Sequence, residues 1–210
     1  MSKIIFHNLN EAMIYSAASE TFRIKKGTLY EYGVNPSEVW AIMLRGTNQS
    51  WDSNDVLSMP TCIKNAMGRP NNYLSAVKKS AIEQIPEGAN VMLIGHSLGG
   101  MVAQQFIADE EMMSQFNLLN ALAIGSPYVI KRKRGCPLHR CCERGDIVST
   151  LSLPMLANMI VGHVRTEAGG YYFNFLGAHC ESYRYSPVWN EYDVFGVPYG
   201  RRTFEFEDEE

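Results

Sequence analysis

Residues 90 to 106 read NVMLIGHSLGGMVAQQF, and few folds accommodate such a stretch. An apolar run stops at Gly95-His96-Ser97-Leu98-Gly99-Gly100, and residues with helical spacing follow at once. A strand apolar along its whole length is one buried on both faces, as in a parallel sheet covered by helices. The glycines permit a sharp turn where a side chain would strike neighbouring backbone. Ser97 at the apex is thereby raised above the carboxyl end of the strand, where open α/β sheets bind ligands. The competing reading is an ordinary tight turn that contains a serine.

The rest of the chain fits a sheet layered between helices. NLNEAMIYSAASE offers an Asn cap and apolar residues at helical spacing, which predicts a first helix. GTLYEYGV and VWAIMLRG flank Asn35-Pro36-Ser37-Glu38 and read as two strands joined by a turn. PNNYLSAVKKSAIEQI predicts a helix with Leu74, Val77, Ala81, Ile82 and Ile85 along its apolar face. GGMVAQQFIADEEM reads as helix, LLNALAIGSP as a buried strand and HRCCERGDIV as a shorter one. YYFNF and RRTFEFE are candidate edge strands. Strands alternating with helices predict an α/β fold with a mostly parallel central sheet and helices on both faces. No repeat or linker divides the 210 residues, so a single domain spanning 1–210 is expected.

A net charge of −3 argues against a nucleic-acid partner, whose phosphates call for a basic surface. The basic run 131–134 reads as a solvated loop, and the acidic residues 205–210 as a disordered tail. The N-terminal stretch MSKIIFHNLNEAM has no apolar signal-peptide core, and no window is long enough to span a membrane. With an odd number of cysteines, five, this points to reduced thiols in a cytoplasmic protein, or one exported by a route that needs no signal peptide. Cys136, His139, Cys141 and Cys142 are close in sequence, but no second ligand pair completes a zinc pattern, so no metal is expected.

A serine hydroxyl becomes a nucleophile when a base removes its proton and an acid orients that base. On a Gly-x-Ser-x-Gly turn the chain order is serine, acid, histidine. Asp146 follows a predicted strand and precedes His163 and His179, the two histidines that come comfortably after an acid candidate, which makes it the natural orienting acid. His163 sits inside the apolar NMIVGHVRT, whereas His179 lies in FLGAHCESY, whose small residues predict a loop. That context favours His179 as base, with His163 the alternative. Leu98, opening the helix, places its backbone N–H where an oxyanion would develop.

Taken together, MLRGTNQSWDSNDVL, LIGHSLGGMVA, ERGDIVSTLSLP and GAHCESY resemble the class 3 lipase family, the fungal triacylglycerol-lipase type and its bacterial relatives. The resemblance spans roughly residues 40 to 185 and implies the α/β-hydrolase fold. It puts the catalytic triad on Ser97, Asp146 and His179, and the oxyanion hole on Thr47 and Leu98. Asp55 matches the acid that steadies the Thr47 hydroxyl. The chain departs from the family at Leu44, where a Phe is usual, at Ser149, where a Pro is common, and in lacking a His-x-Gly-Phe-type segment before the elbow.

The resemblance also implies a lid over about Gln49 to Pro60, with Trp51, Val56 and Leu57 covering or lining an acyl site. Met155 and Met159, with Leu156 and Ile160, form a second candidate wall of deformable apolar side chains. The first stretch reads equally as core packing, and the second more readily as core than as an acyl wall. The expected activity is hydrolysis of carboxylic esters, lipid acyl esters among them, without a cofactor and with transient contact to a lipid surface. A thioesterase or acyltransferase would use the same triad, and a non-catalytic lipid-binding relative would retain only the scaffold.

Overall fold

The second half of the first hairpin, VWAIMLRG, and the strand before Ser97 are the centre of the molecule. In the computed structural model they are β3 (Ser37–Leu44) and β4 (Asn90–His96), paired in parallel from Trp40 opposite Val91 to Leu44 opposite Gly95. The structure describes residues 2–48, 71–129, 133–150, 164–171 and 174–208, together with the single positions 55, 57, 58, 61, 64 and 69. Among the described residues the remaining strands are β1 (Ser2–Phe6), β2 (Phe22–Glu31), β5 (Asn117–Ile124), β6 (Leu138–Glu143), β7 (Val164–Glu167) and β8 (Arg202–Asp208). They form one eight-stranded sheet in the order β1-β8-β2-β3-β4-β5-β6-β7. From β3 to β7 every pairing is parallel, and β1, β8 and β2 add an antiparallel flank. The chain is thus a mixed α/β protein built on a mostly parallel sheet.

Alternate residues of the central strands feed two cores, as the period of a strand requires. Ile42, Leu44, Val91 and Leu93 join one, beneath α2 (Asn72–Gln84), α3 (Leu98–Phe106) and α4 (Glu110–Gln115). Val39, Ala41, Met43, Met92 and Ile94 join the other, beneath α1 (Leu9–Ala17), Tyr183 and Trp189. α1 starts where Asn8 accepts the Glu11 N–H at 3.1 Å. α2 starts where Asn71 accepts the Leu74 N–H at 2.9 Å, so a side chain caps the first turn of each helix. Among the described residues no helix is long and apolar enough to cross a membrane.

Several sequence expectations need correction. The inward face of α2 is Tyr73, Val77 and Ala81, while Ile82 is 44% exposed. The helix is rotated toward Tyr73, whose hydroxyl donates to the carbonyls of Thr21 (2.8 Å) and Arg45 (3.2 Å). The helix after Ser97 is two helices, because Asp109 accepts the Glu111 and Met112 N–H groups and caps α4. The acidic end is no disordered tail as far as Asp208. Phe204 and Phe206 face the core, and β8 runs between β1 and β2 rather than along an edge. Its acids have partners on both faces of the strand, Glu205 on the outer face with Lys3 at 2.8 Å and Asp208, on the side of Phe204 and Phe206, with Lys25 and Tyr15. YYFNF yields no strand at Phe175, which opens α5 (Phe175–Cys180), followed by α6 (Ser182–Tyr185). FLGAHCESY is therefore helical rather than a loop, since Asn174 accepts the Gly177 N–H at 2.9 Å and caps α5.

Candidate active site

Ser97 stands between β4 and α3 with φ 53° and ψ −117°. A non-glycine residue at positive φ in this region costs about 1–3 kcal/mol, and the surrounding fold must hold it there. Two neighbours do so. The Ser97 N–H donates to the Ile124 carbonyl of β5 at 2.9 Å, and its own carbonyl accepts the Met101 N–H at 3.2 Å.

The turn closes only because its glycines lack side chains. A Cβ on Gly95 would lie 2.4 Å from the Gly99 carbonyl, and one on Gly99 would lie 2.3 Å from the Leu44 carbonyl oxygen. Both obstacles are backbone atoms, one in the first turn of α3 and the other at the end of β3. Gly99→Ala is therefore expected to lower unfolding stability by about 3 kcal/mol, the upper range for overpacking. Chemical denaturation would measure the loss, and an unchanged midpoint would contradict the close approach.

From the other side of the sheet, α5 brings His179 to the serine. His179 Nε2 is 3.0 Å from Ser97 Oγ, and its Nδ1 is 3.0 and 3.1 Å from the two oxygens of Asp146. Asp146 follows β6 and is buried. Its Oδ1 also accepts the Val148 N–H at 2.9 Å and, at a longer 3.4 Å, that of Ser149. Ser149 Oγ returns a bond to the Asp146 carbonyl at 2.8 Å. A proline here would have neither the N–H nor the hydroxyl, so Ser149 ties down the acid by two bonds of its own. The structure thus brings Ser97, Asp146 and His179 into one line of hydrogen bonds. The alternative base, His163, lies outside the described residues.

Sequence reasoning missed Tyr183. Its hydroxyl donates to Asp146 Oδ2 at 2.8 Å and accepts the Glu143 N–H at 2.7 Å. Burial, and then the charge of Asp146, push its pKa well above the ordinary phenol range, so it stays a donor. The available signal was its spacing, four residues after His179, which sets both on one side of nearly continuous helix. Next to it Ser182 Oγ donates to the buried Glu143 carboxylate at 2.7 Å, and Trp189 Nε1 donates to Ser182 Oγ at 3.1 Å. Glu143 also accepts the Gly169 N–H at 2.7 and 2.8 Å. Tyr183→Phe removes a donor from Asp146 and an acceptor from Glu143. It should cost about 1–3 kcal/mol of stability, to be read from denaturant midpoints.

The oxyanion corner is assembled differently from the expectation. Leu98 opens α3, where a backbone N–H has no acceptor within the helix. Gly46 packs against the serine, since a Cβ there would come 3.2 Å from Ser97 Cβ. Thr47 follows it, but its hydroxyl donates to the Leu57 carbonyl at 2.6 Å. Asp55 accepts the Leu57 N–H at 2.9 Å and the Asn48 side-chain amide, so it supports Thr47 through Leu57. Leu57 itself is buried in the core beneath α2 and α3, which is the packing alternative for that residue. Leu44 belongs to the same core. Trp51, Val56, Met155, Leu156, Met159 and Ile160 lie outside the described residues.

The cysteine cluster is spread along β6 and its approach. His139 Nδ1 meets Asn120 Oδ1 at 2.7 Å, and Cys142 contacts Ser149 Oγ. Burial pushes the Cys136 and Cys142 thiols up, to about 12 and about 11. Cys180, beside His179, is also raised by burial, which leaves it a poor nucleophile. In the basic run, Lys133 is exposed and Arg134 donates to the Val129 carbonyl at 2.9 Å. No protein-family model matches the chain, and no curated protein matches its sequence.

Proposed function

We propose that this protein is a serine hydrolase of carboxylic esters, built on an α/β-hydrolase fold and akin to class 3 lipases. The observation that carries the reading is the relay from Ser97 Oγ to His179 Nε2 at 3.0 Å and from Nδ1 to a buried Asp146. A strained serine between strand and helix adds to it. Strain of this kind persists where function requires it.

In this mechanism His179 takes the Ser97 proton as the oxygen attacks the ester carbonyl. Asp146 holds Nδ1 protonated and stabilises the imidazolium that forms. The N–H of Leu98 receives the oxyanion, and Thr47 adds its hydroxyl once that turns from the Leu57 carbonyl. His179 then gives its proton to the departing alcohol and activates the water that releases the acid from Ser97. Ile147, beside the acid, is 48% exposed, and Phe175 and Leu176, one turn before the base, are 54% and 71% exposed. This apolar margin favours acyl chains over small polar acids.

The test is intact mass after incubation with a fluorophosphonate, on wild type and Ser97→Ala. One adduct on the wild type alone supports the reading. No adduct on either, with detergent present, sinks it. Turnover of acyl-CoA against p-nitrophenyl esters then separates a thioesterase from an esterase.

A further inference from the structure

We propose that His96, the residue before the candidate nucleophile, is a positioning residue for the base: it fixes both the backbone and the ring of His179 in the pose that reaches Ser97. This rests on the reading of Ser97, His179 and Asp146 as a triad. His96 Nε2 lies 2.7 Å from the His179 carbonyl oxygen. The two imidazoles also face one another, with centroids 4.7 Å apart and planes at 37°. No other side chain contacts the base in both ways among the described residues.

The bond answers a local need. α5 ends at Cys180, so the His179 carbonyl lies in the last turn, where carbonyls find no N–H donor within the helix. A carbonyl only accepts, which assigns the proton of His96 to Nε2. Its Nδ1 lies toward Gly46, where an added Cβ would stand 3.0 Å away. The same side chain thus touches the base and the oxyanion corner.

His96 must also be uncharged for this role. A second imidazolium stacked on His179 would oppose the charge that forms there during proton transfer. The groups around it are the rings of His179 and Tyr183, with the Arg184 guanidinium contributing from α6. Burial, then the charge of His179, hold His96 well below the ordinary imidazole range, outweighing the opposite pull of the His179 carbonyl. His96 therefore remains a neutral Nε2–H donor while His179 cycles between its two forms.

The experiment compares H96F and H96Q with wild type, using a p-nitrophenyl ester and kcat referred to fluorophosphonate-titrated sites. Phe keeps a flat ring and loses the donor, whereas Gln carries an N–H donor at similar reach. H96F should lower kcat by about 10- to 100-fold with KM little changed, the scale of a small misplacement of a reacting group. H96Q should recover most of that loss. An H96F variant with wild-type kcat, or an H96Q variant as slow as H96F, would overturn the proposal.

Nitrogen NMR of the wild-type imidazoles covers the case in which a variant does not fold. It should show His96 neutral and protonated at Nε2 at neutral pH, and a charged or Nδ1–H form would also overturn the proposal. A wild type that takes no fluorophosphonate would mark failure of the triad reading instead, and the NMR assignment would still decide the state of His96.

Discussion

Replacing Ser97 with alanine should lower ester turnover by about 10⁶-fold, the loss seen when a triad nucleophile is removed. The residual rate then comes from binding and the oxyanion donors alone. Ser97→Gly should be equally inactive but more stable by about 1–2 kcal/mol, because glycine adopts positive φ without the steric cost. Alanine at φ 53° keeps that cost. Kinetics and denaturation on the two variants separate the chemistry of the hydroxyl from the strain of the backbone. Equal stability of the Ala and Gly variants would mean that the turn stores no strain.

Asp146→Asn should lower kcat by about 10⁴-fold, as removal of the orienting charge does in other triads. Every polar group around this carboxylate donates to it: His179 Nδ1, the Tyr183 hydroxyl and the Val148 and Ser149 N–H groups. An amide has one acceptor for these donors. With its oxygen over Val148 and Ser149, its amino group confronts Tyr183 and the Nδ1 side. Flipped, the amino group confronts the backbone N–H groups. In both orientations the imidazolium of His179 loses its counter-charge. Steady-state kinetics on esters checks the prediction, and a loss below about tenfold would remove Asp146 from the relay.

The elbow was legible in sequence because its requirements are local. An apolar strand, glycines where backbone approaches backbone and a helix start all fall within a short run of chain. The cap at Asn8 is local for the same reason. What escaped was non-local. Ser2–Phe6 gains its partner only at Phe204–Asp208, so neither end reveals its place in the sheet from its own residues. The acidic block hid the alternation of Phe204 and Phe206. The small residues around His179 predict a loop, whereas it rides on a six-residue helix capped by Asn174. That helix is too short to announce itself by periodicity. Tyr183 and His96 read as ordinary core and motif residues until the fold put one under the acid and the other against the base.

The close approach of Gly46, Gly95 and Gly99 to neighbouring atoms makes the two sides of the site unequal under variation. On the strand side even one added carbon meets neighbouring backbone or the serine itself, so drift there is paid for in folding. On the helix side Ile147, Phe175 and Leu176 face solvent and admit many replacements. Lineages adapting such a protein to new acyl groups would accumulate their changes around residues 147, 175 and 176, while the serine corner stayed fixed. A directed library confined to those three positions would sample new specificity without risking the nucleophile.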